Sequence, residues 1–210
     1  MILTSVPRDR LAALLARFAG NLHDWHAQSA FARIAHAGSD RAAGAAAERH
    51  RLEAARVARR LGMRIAPGSP TRGFGWDGRI LRTGTEAYVL LHEIAHWQMA
   101  DARRRRAVEF GLGPGPETGH RAAAERATLL TGLAREREEA MASLLGILWE
   151  AALGQPALAS FLDQNWLEGA GRPGTAAHFE ATLTRLMRAG LVNRAGRPLW
   201  SRSITGRTAL

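Results

Sequence analysis

The chain has 210 residues and is 46% hydrophobic, enough for one substantial core, which excludes a disordered tail. It contains no Cys, so disulfides, thiolate metal ligands and a cysteine nucleophile are excluded; its 29 basic residues are all Arg, and the net charge of +10 favours acidic partners. No apolar run approaches the length of a bilayer span, and the opening Met1 to Pro7 lacks the basic and hydrophobic stretches of a secretory signal, so a cytoplasmic location is expected.

Taken in chain order, residues 8–36 read as helix, with Leu11, Leu14, Leu15 and Phe18 at apolar spacing and a break near Gly20. Asp40 to Leu61 is a second helix, rich in Ala and Arg. His23, His26, His36 and His50 fall on these segments without a carboxylate at ligand spacing and are expected at the surface or in caps. Pro67 to Gly73 is a loop; Asp77-Gly78 signals a turn, and Arg79 to Arg82 a short strand. A helix then begins near Thr85 and is expected to continue through the four arginines Arg103 to Arg106, a solvated basic face, until Gly111 to Pro116 breaks it. A long helix is predicted from Ala122 to Leu153, with Leu129, Leu133, Ala140, Leu144 and Ile147 as its buried stripe. Pro156 to Trp166 is a short helix, Gly169 to Gly174 a loop, and Thr175 to Ala189 the last helix. Because the helix beginning near Thr85 carries His92-Glu93-Ile94-Ala95-His96, a spacing suited to a metal, the expected fold class is mostly α (α+β): a zincin-like helical domain with a small β element next to that metal-binding helix. Residues 1–66 form an N-terminal helical segment packed on the core, 67–192 the metal-binding domain, and 193–210 a basic irregular tail.

His92-Glu93-Ile94-Ala95-His96 carries the chemistry. On a helix, the i, i+4 spacing puts two imidazoles on one face, where both can reach one divalent ion while Glu93 stays free to move protons. Two histidines under-hold a metal, so a third ligand is required. The glycine and third histidine that follow such a motif in some zinc enzymes are absent, since Met99 and Ala102 occupy those places. Glu136-Arg137-Glu138-Glu139 on the long helix is the natural source. Glu136 and Glu139 share a face at i, i+3, whereas Glu138 is turned about 100° from Glu139 and is expected to point away. Proximity to the apolar stripe favours Glu136; the Glu139-Ala140 step, common in glutamate-type zincins, favours Glu139, with Glu136 in reserve as a ligand or behind the ligands as their hydrogen-bond partner. His120 and Asp101 are outside candidates. Tyr88, one turn before His92, is expected to be a packed core aromatic more than a pocket wall.

His92 to Trp97, Ala102-Arg103-Arg104 and Val108-Glu109-Phe110-Gly111 together resemble the elongation factor P hydroxylase family, and the resemblance extends in order and rough spacing over residues 79–200. It implies hydroxylation of a modified lysine side chain on an acidic translation factor, with His92, His96 and Glu139 as metal ligands and Glu93 as acid or base. Two histidines and one carboxylate leave positions open, which suits iron with O₂ in an oxygenase and zinc with water in a hydrolase. The alternative activity is therefore a small glutamate-zincin metallopeptidase, and the non-catalytic alternative a basic binding protein with a structural metal. Nucleic acid is a permitted partner that the sequence does not favour, because no zinc-finger spacing, RNA-binding aromatic signature or helix-turn-helix is present. No membrane partner is expected.

Overall fold

The computed structural model describes residues 8–167 and 173–201, and these are mostly helical, about 60% helix and 4% strand, as the composition and periodicity predict. The helices are α1 (Arg8–Gly20), α2 (Trp25–Ala35), α3 (Gly44–Arg60), α4 (Ala87–Met99), α5 (Arg121–Arg126), α6 (Gly132–Ala152), α7 (Ala157–Asp163) and α8 (Pro173–Arg188). The β element is a parallel pair, β1 (Ile65–Ala66) and β2 (Leu81–Arg82), in register Ile65 with Leu81 and Ala66 with Arg82. Among the described residues no helix is long and apolar enough to cross a membrane.

Local chemistry sets several boundaries. The first helical stretch breaks after Gly20, and α2 restarts where the Asp24 side chain accepts from the His26 backbone N–H at 2.8 Å. The second begins at Gly44 rather than Asp40, whose carboxylate is taken by Arg8 at 2.6 Å. Asp77 accepts from the backbone of both Arg79 and Ile80, making the turn that feeds β2.

Two expected helices are shorter than the sequence suggests. Helix α4 stops at Met99, because Ala100 is extended and Asp101 accepts from Arg104 N–H at 2.8 Å, capping a separate 3-10 turn over Arg104–Arg106. The predicted helix from Ala122 to Leu153 is two helices: Leu129 and Leu130 N–H groups donate to the Gly111 carbonyl, Thr131 is extended, and Gly132 takes a φ of +57° at the start of α6. Leu129 and Leu133 are consequently exposed, at 43% and 59%, and the buried stripe begins only with Ala142. Residues 193–201 of the expected tail are irregular but held: a bridge joins Val192 and Pro198, and Trp200 packs edge-on against Trp149 at 4.7 Å, while the rest of the tail lies outside the described residues. Most of the predicted loop at Gly169 to Gly174 lies outside the described residues.

The centre of the molecule is the α4–α6 pair, with α3 on α4 and with α2, α7 and α8 on α6. Gly146 sets how closely the central pair meets: a Cβ there would stand 3.3 Å from His92 N and 3.4 Å from His92 Cα, tighter than packed atoms usually come. Phe18, Phe31, Phe161 and Phe179 fill the space beyond α6, with the Phe18 ring 4.7 to 5.6 Å from the other three.

One core carboxyl lacks full compensation. Glu150 on α6 is 2% exposed, its hydrogen bond to Ser160 and the Arg41 guanidinium at 3.6 Å oppose only part of the cost of burial, and its pKa is pushed up from the ordinary 4.5 to about 7. Between those values the folded protein holds a proton that the unfolded chain has lost, so stability falls as pH rises through this window. Glu150→Gln is expected to raise the melting temperature at pH 8, by a stabilisation on the order of 2 kcal/mol, with the gain vanishing near the unperturbed carboxyl pKa. Thermal melts across pH check it; equal melting of both proteins at pH 8 would contradict the argument.

Candidate metal centre

Helix α4 delivers both imidazoles to one side, as the spacing requires, and α6 delivers the carboxylate. His92 Nε2 lies 3.0 Å from His96 Nε2, and Glu139 Oε2 lies 3.4 Å from the first and 3.5 Å from the second. Donors about 2.1 Å from one ion stand about 3.0 Å apart at octahedral angles and about 3.4 Å apart at tetrahedral ones, so this triangle fits a single cation. His92, His96 and Glu139 can thus hold a metal ion. All three line a cleft of about 490 Å³, whose walls also include Glu93, Tyr88, Glu109 and the Gly113–Glu117 loop.

Gly146 lets α6 press on α4 at His92, and Glu139, two turns earlier on the same face, comes into line with the histidine pair. Glu136 is exposed one turn away and takes no part. Glu138 does not point away as expected: its Oε1 stands 3.2 Å from His96 Nδ1. An imidazole has nitrogens on two flanks, and at this close crossing the 100° step between Glu138 and Glu139 straddles the His96 ring instead of turning one residue to solvent. Glu139 reaches Nε2 and Glu138 reaches Nδ1.

Glu138 is in turn clamped by Arg104, whose two terminal nitrogens meet its two oxygens at 2.5 Å each, while Arg104 Nε donates to the Phe110 carbonyl at 2.9 Å. Burial alone would raise the Glu138 carboxyl, but the Arg104 and His96 hydrogen bonds outweigh it and hold the group below the usual range. An ionised Glu138 fixes the ring so that Nε2 faces the cation, the outer-shell arrangement typical of metal-bound histidine. Arg104 comes from the run expected to be a solvated face; Arg105 is also engaged, over the Trp97 ring at 4.8 Å and donating to the Trp97 carbonyl. Arg104→Ala is expected to lower metal affinity about 10- to 100-fold with the three ligands untouched, measurable by competition with a chromophoric chelator; unchanged affinity would show that the clamp does not set the ring.

The charges around the triangle follow from its geometry. Burial opposes ionisation of Glu139, yet the hydrogen bonds of His92 and His96 hold it well below the usual carboxylate range. Burial lowers His92, against the pull of Glu139. His96 is driven the other way: burial disfavours its charge, but Glu138 and Glu139 push it up to about 10. Glu93 is pushed up to about 8, by burial first and by the neighbouring Glu109 second, which makes it a carboxyl able to hold or release a proton near neutrality.

Glu109 escaped the sequence reading as a site residue. It is 7% exposed and accepts from Gly75 N–H at 3.0 Å, Trp76 N–H at 3.3 Å and the Thr118 hydroxyl at 2.8 Å. Glu109, Phe110 and Gly111 are three successive left-handed residues (φ 46°, 51° and 70°), a conformation that costs about 1 kcal/mol or more at each non-glycine position. The strain is held in place by those bonds and by the Phe110 ring, stacked 5.3 Å from Trp76. A lone acid inside the apolar Ala107-Val108-Glu109-Phe110-Gly111 stretch was the signal available. Gly75 allows the approach, since a Cβ there would meet Glu109 Oε2 at 3.4 Å and the Glu93 carboxyl carbon at 3.7 Å.

The remaining candidates fall elsewhere. Asp101 caps the 3-10 turn, and His120 is exposed with its ring edge-on to Phe74 at 5.3 Å. Tyr88 is a cleft wall and not a core aromatic: it is only partly buried, and the Arg41 guanidinium sits over its ring at 3.9 Å. Burial, helped by Glu86, pushes its hydroxyl up to about 12, so it remains a proton donor throughout the neutral range.

No family model matches the chain, and comparison with curated proteins and with solved structures found no match.

Proposed function

We propose that this protein is a metal-dependent hydroxylase resembling elongation factor P hydroxylase, acting on a modified lysine side chain of an acidic protein. The carrying observation is the triangle of His92, His96 and Glu139 facing a 490 Å³ cleft with Glu93 beside it. Structural zinc sites are closed by four protein ligands; three on a cleft wall leave positions for reactants. Two histidines and one carboxylate in this arrangement are the set that non-haem iron oxygenases use. Support also comes from where the resembling segments lie: Arg104 clamps the outer carboxylate of His96, and Glu109 and Phe110 line the cleft beside Glu93 and His96.

Iron held there would supply oxygen activation, converting C–H to C–OH with the second oxygen leaving as water, two electrons arriving from an external reductant and two protons from solvent. The chain does the rest. Glu138 and Arg104 keep His96 oriented, Glu93 stores and releases a proton at the cleft wall, and Tyr88 offers a hydroxyl donor. Arg82 and Arg135, both on the cleft lining, attract an acidic partner. The expected result is oxygen consumption by iron-loaded protein with reductant, and a gain of one oxygen atom on elongation factor P carrying the modified lysine. Absence of both oxygen uptake and a mass gain, on every form of that substrate, would refute the proposal.

Glu93 favours a second reading. A carboxyl adjoining the first histidine ligand and lining the same cleft as both histidines is the group that activates a zinc-bound water in metallopeptidases. Peptide hydrolysis by zinc-loaded protein, lost on Glu93→Gln, would select it over the hydroxylase.

A further inference from the structure

Next to the metal cleft lies a second cavity of about 380 Å³, bounded by α3, the start of α4 and the end of α6; Thr85 and Tyr88 belong to the walls of both. Its lining includes two buried polar side chains: Gln155, one of whose atoms lacks a partner among the described residues, and Glu150, held by the Ser160 hydroxyl and a distant Arg41. Gln155 is 1% exposed; its amide nitrogen donates to the His50 carbonyl at 3.2 Å and to Glu53 Oε2 at 3.0 Å, which fixes the amide orientation, and its Oε1 has no hydrogen-bond partner among the described residues. Glu150 is the buried carboxyl described above. Its cation, Arg41, is committed elsewhere: to Asp163 at 2.8 and 3.1 Å, to the Ser160 hydroxyl at 2.8 Å and to the Tyr88 ring, leaving 3.6 Å to Glu150.

The shortage is therefore of donors and of positive charge. An anion would meet Glu150 with like charge, and a neutral apolar ligand would leave Gln155 Oε1 without a donor and Glu150 with only Ser160 and the distant Arg41, at a cost. An ammonium group answers both, having three N–H donors and the missing charge. We infer that this cavity is an ammonium subsite, in which Glu150 and Gln155 Oε1 accept from the amino group of a ligand whose alkyl stem passes along Tyr88 toward the metal cleft. A ligand with a terminal amine on a flexible methylene chain, such as a lysine-type side chain, fits this description. That the far end of the ligand reacts at the metal rests on the hydroxylase reading; the amine subsite does not.

The test uses the full chain without metal and titrates it calorimetrically with cadaverine, a five-carbon diamine, and with the matching diol. Cadaverine is expected to bind at least about tenfold more tightly than the diol, and Glu150→Gln to lose at least about tenfold of that affinity, while Glu136→Gln, a charge loss at an exposed position of the same helix, leaves it unchanged. Equal binding of diamine and diol, or undiminished diamine binding by Glu150→Gln, overturns the inference. A second readout needs no variant: the side-chain amide NMR signal of Gln155 in the unaltered protein shifts on cadaverine addition, or the subsite is wrong. Because no turnover is measured, amine binding without oxygen uptake would refute the hydroxylase alone, and oxygen uptake without amine binding would refute the subsite alone.

Discussion

Glu93→Gln is expected to lower turnover by about 10²- to 10⁴-fold, the usual contribution of a positioned general acid or base, without changing the amount of metal bound. The substitution keeps the shape of a side chain packed near Gly75, so the wall of the cleft is preserved. It also removes the repulsion between Glu93 and Glu109, so the variant should be no less stable than the parent. Steady-state rates alongside elemental analysis of the same samples check this. An unchanged rate with full metal would remove Glu93 from the chemistry in both the hydroxylase and the peptidase reading.

His96→Ala carries the largest expected loss at the centre itself. It deletes one of three donors and the ring through which Glu138 and Arg104 act, so metal affinity should fall by at least about 10³-fold, more than either outer residue can cause alone. The ring is 3% exposed and lies 5.9 Å from Phe110, so a modest drop in melting temperature should accompany the loss. Equilibrium titration with zinc and with ferrous iron, read with the melting curve, separates the two effects. Retention of stoichiometric binding at near-parental affinity would mean that the triangle is not the metal site.

The features legible in the sequence are those fixed by local geometry. The i, i+4 histidine pair needs only a helix, and the Tyr88–Leu91 lead-in supplied one, so His92 and His96 are found where the spacing puts them. The glutamate stretch was recognisable as a source of a ligand, but which residue turns inward depends on the crossing at Gly146, a contact between chain positions 54 residues apart that no local pattern encodes. The same crossing explains why Glu138 was misjudged. Arg104 reads as part of a solvated run because its partner lies 34 residues onward, and the left-handed run at Glu109 and Phe110 contradicts what those residue types ordinarily adopt. The overlong helix is different in kind, since Thr131-Gly132 was a visible break that the apolar periodicity of Leu129 and Leu133 overrode.

The guanidinium of Arg104 has a consequence beyond orienting a ring. It joins the Glu138 carboxylate on α6 to the carbonyl of Phe110, the middle of the strained turn that walls the cleft. Occupancy of the cation position and order in that turn are therefore thermodynamically reciprocal: whatever free energy the ion lends to the turn, the turn returns as affinity for the ion. A reactant that presses the wall outward would loosen the ion, and slower amide hydrogen exchange at Phe110 to Leu112 should report each equivalent of cation taken up.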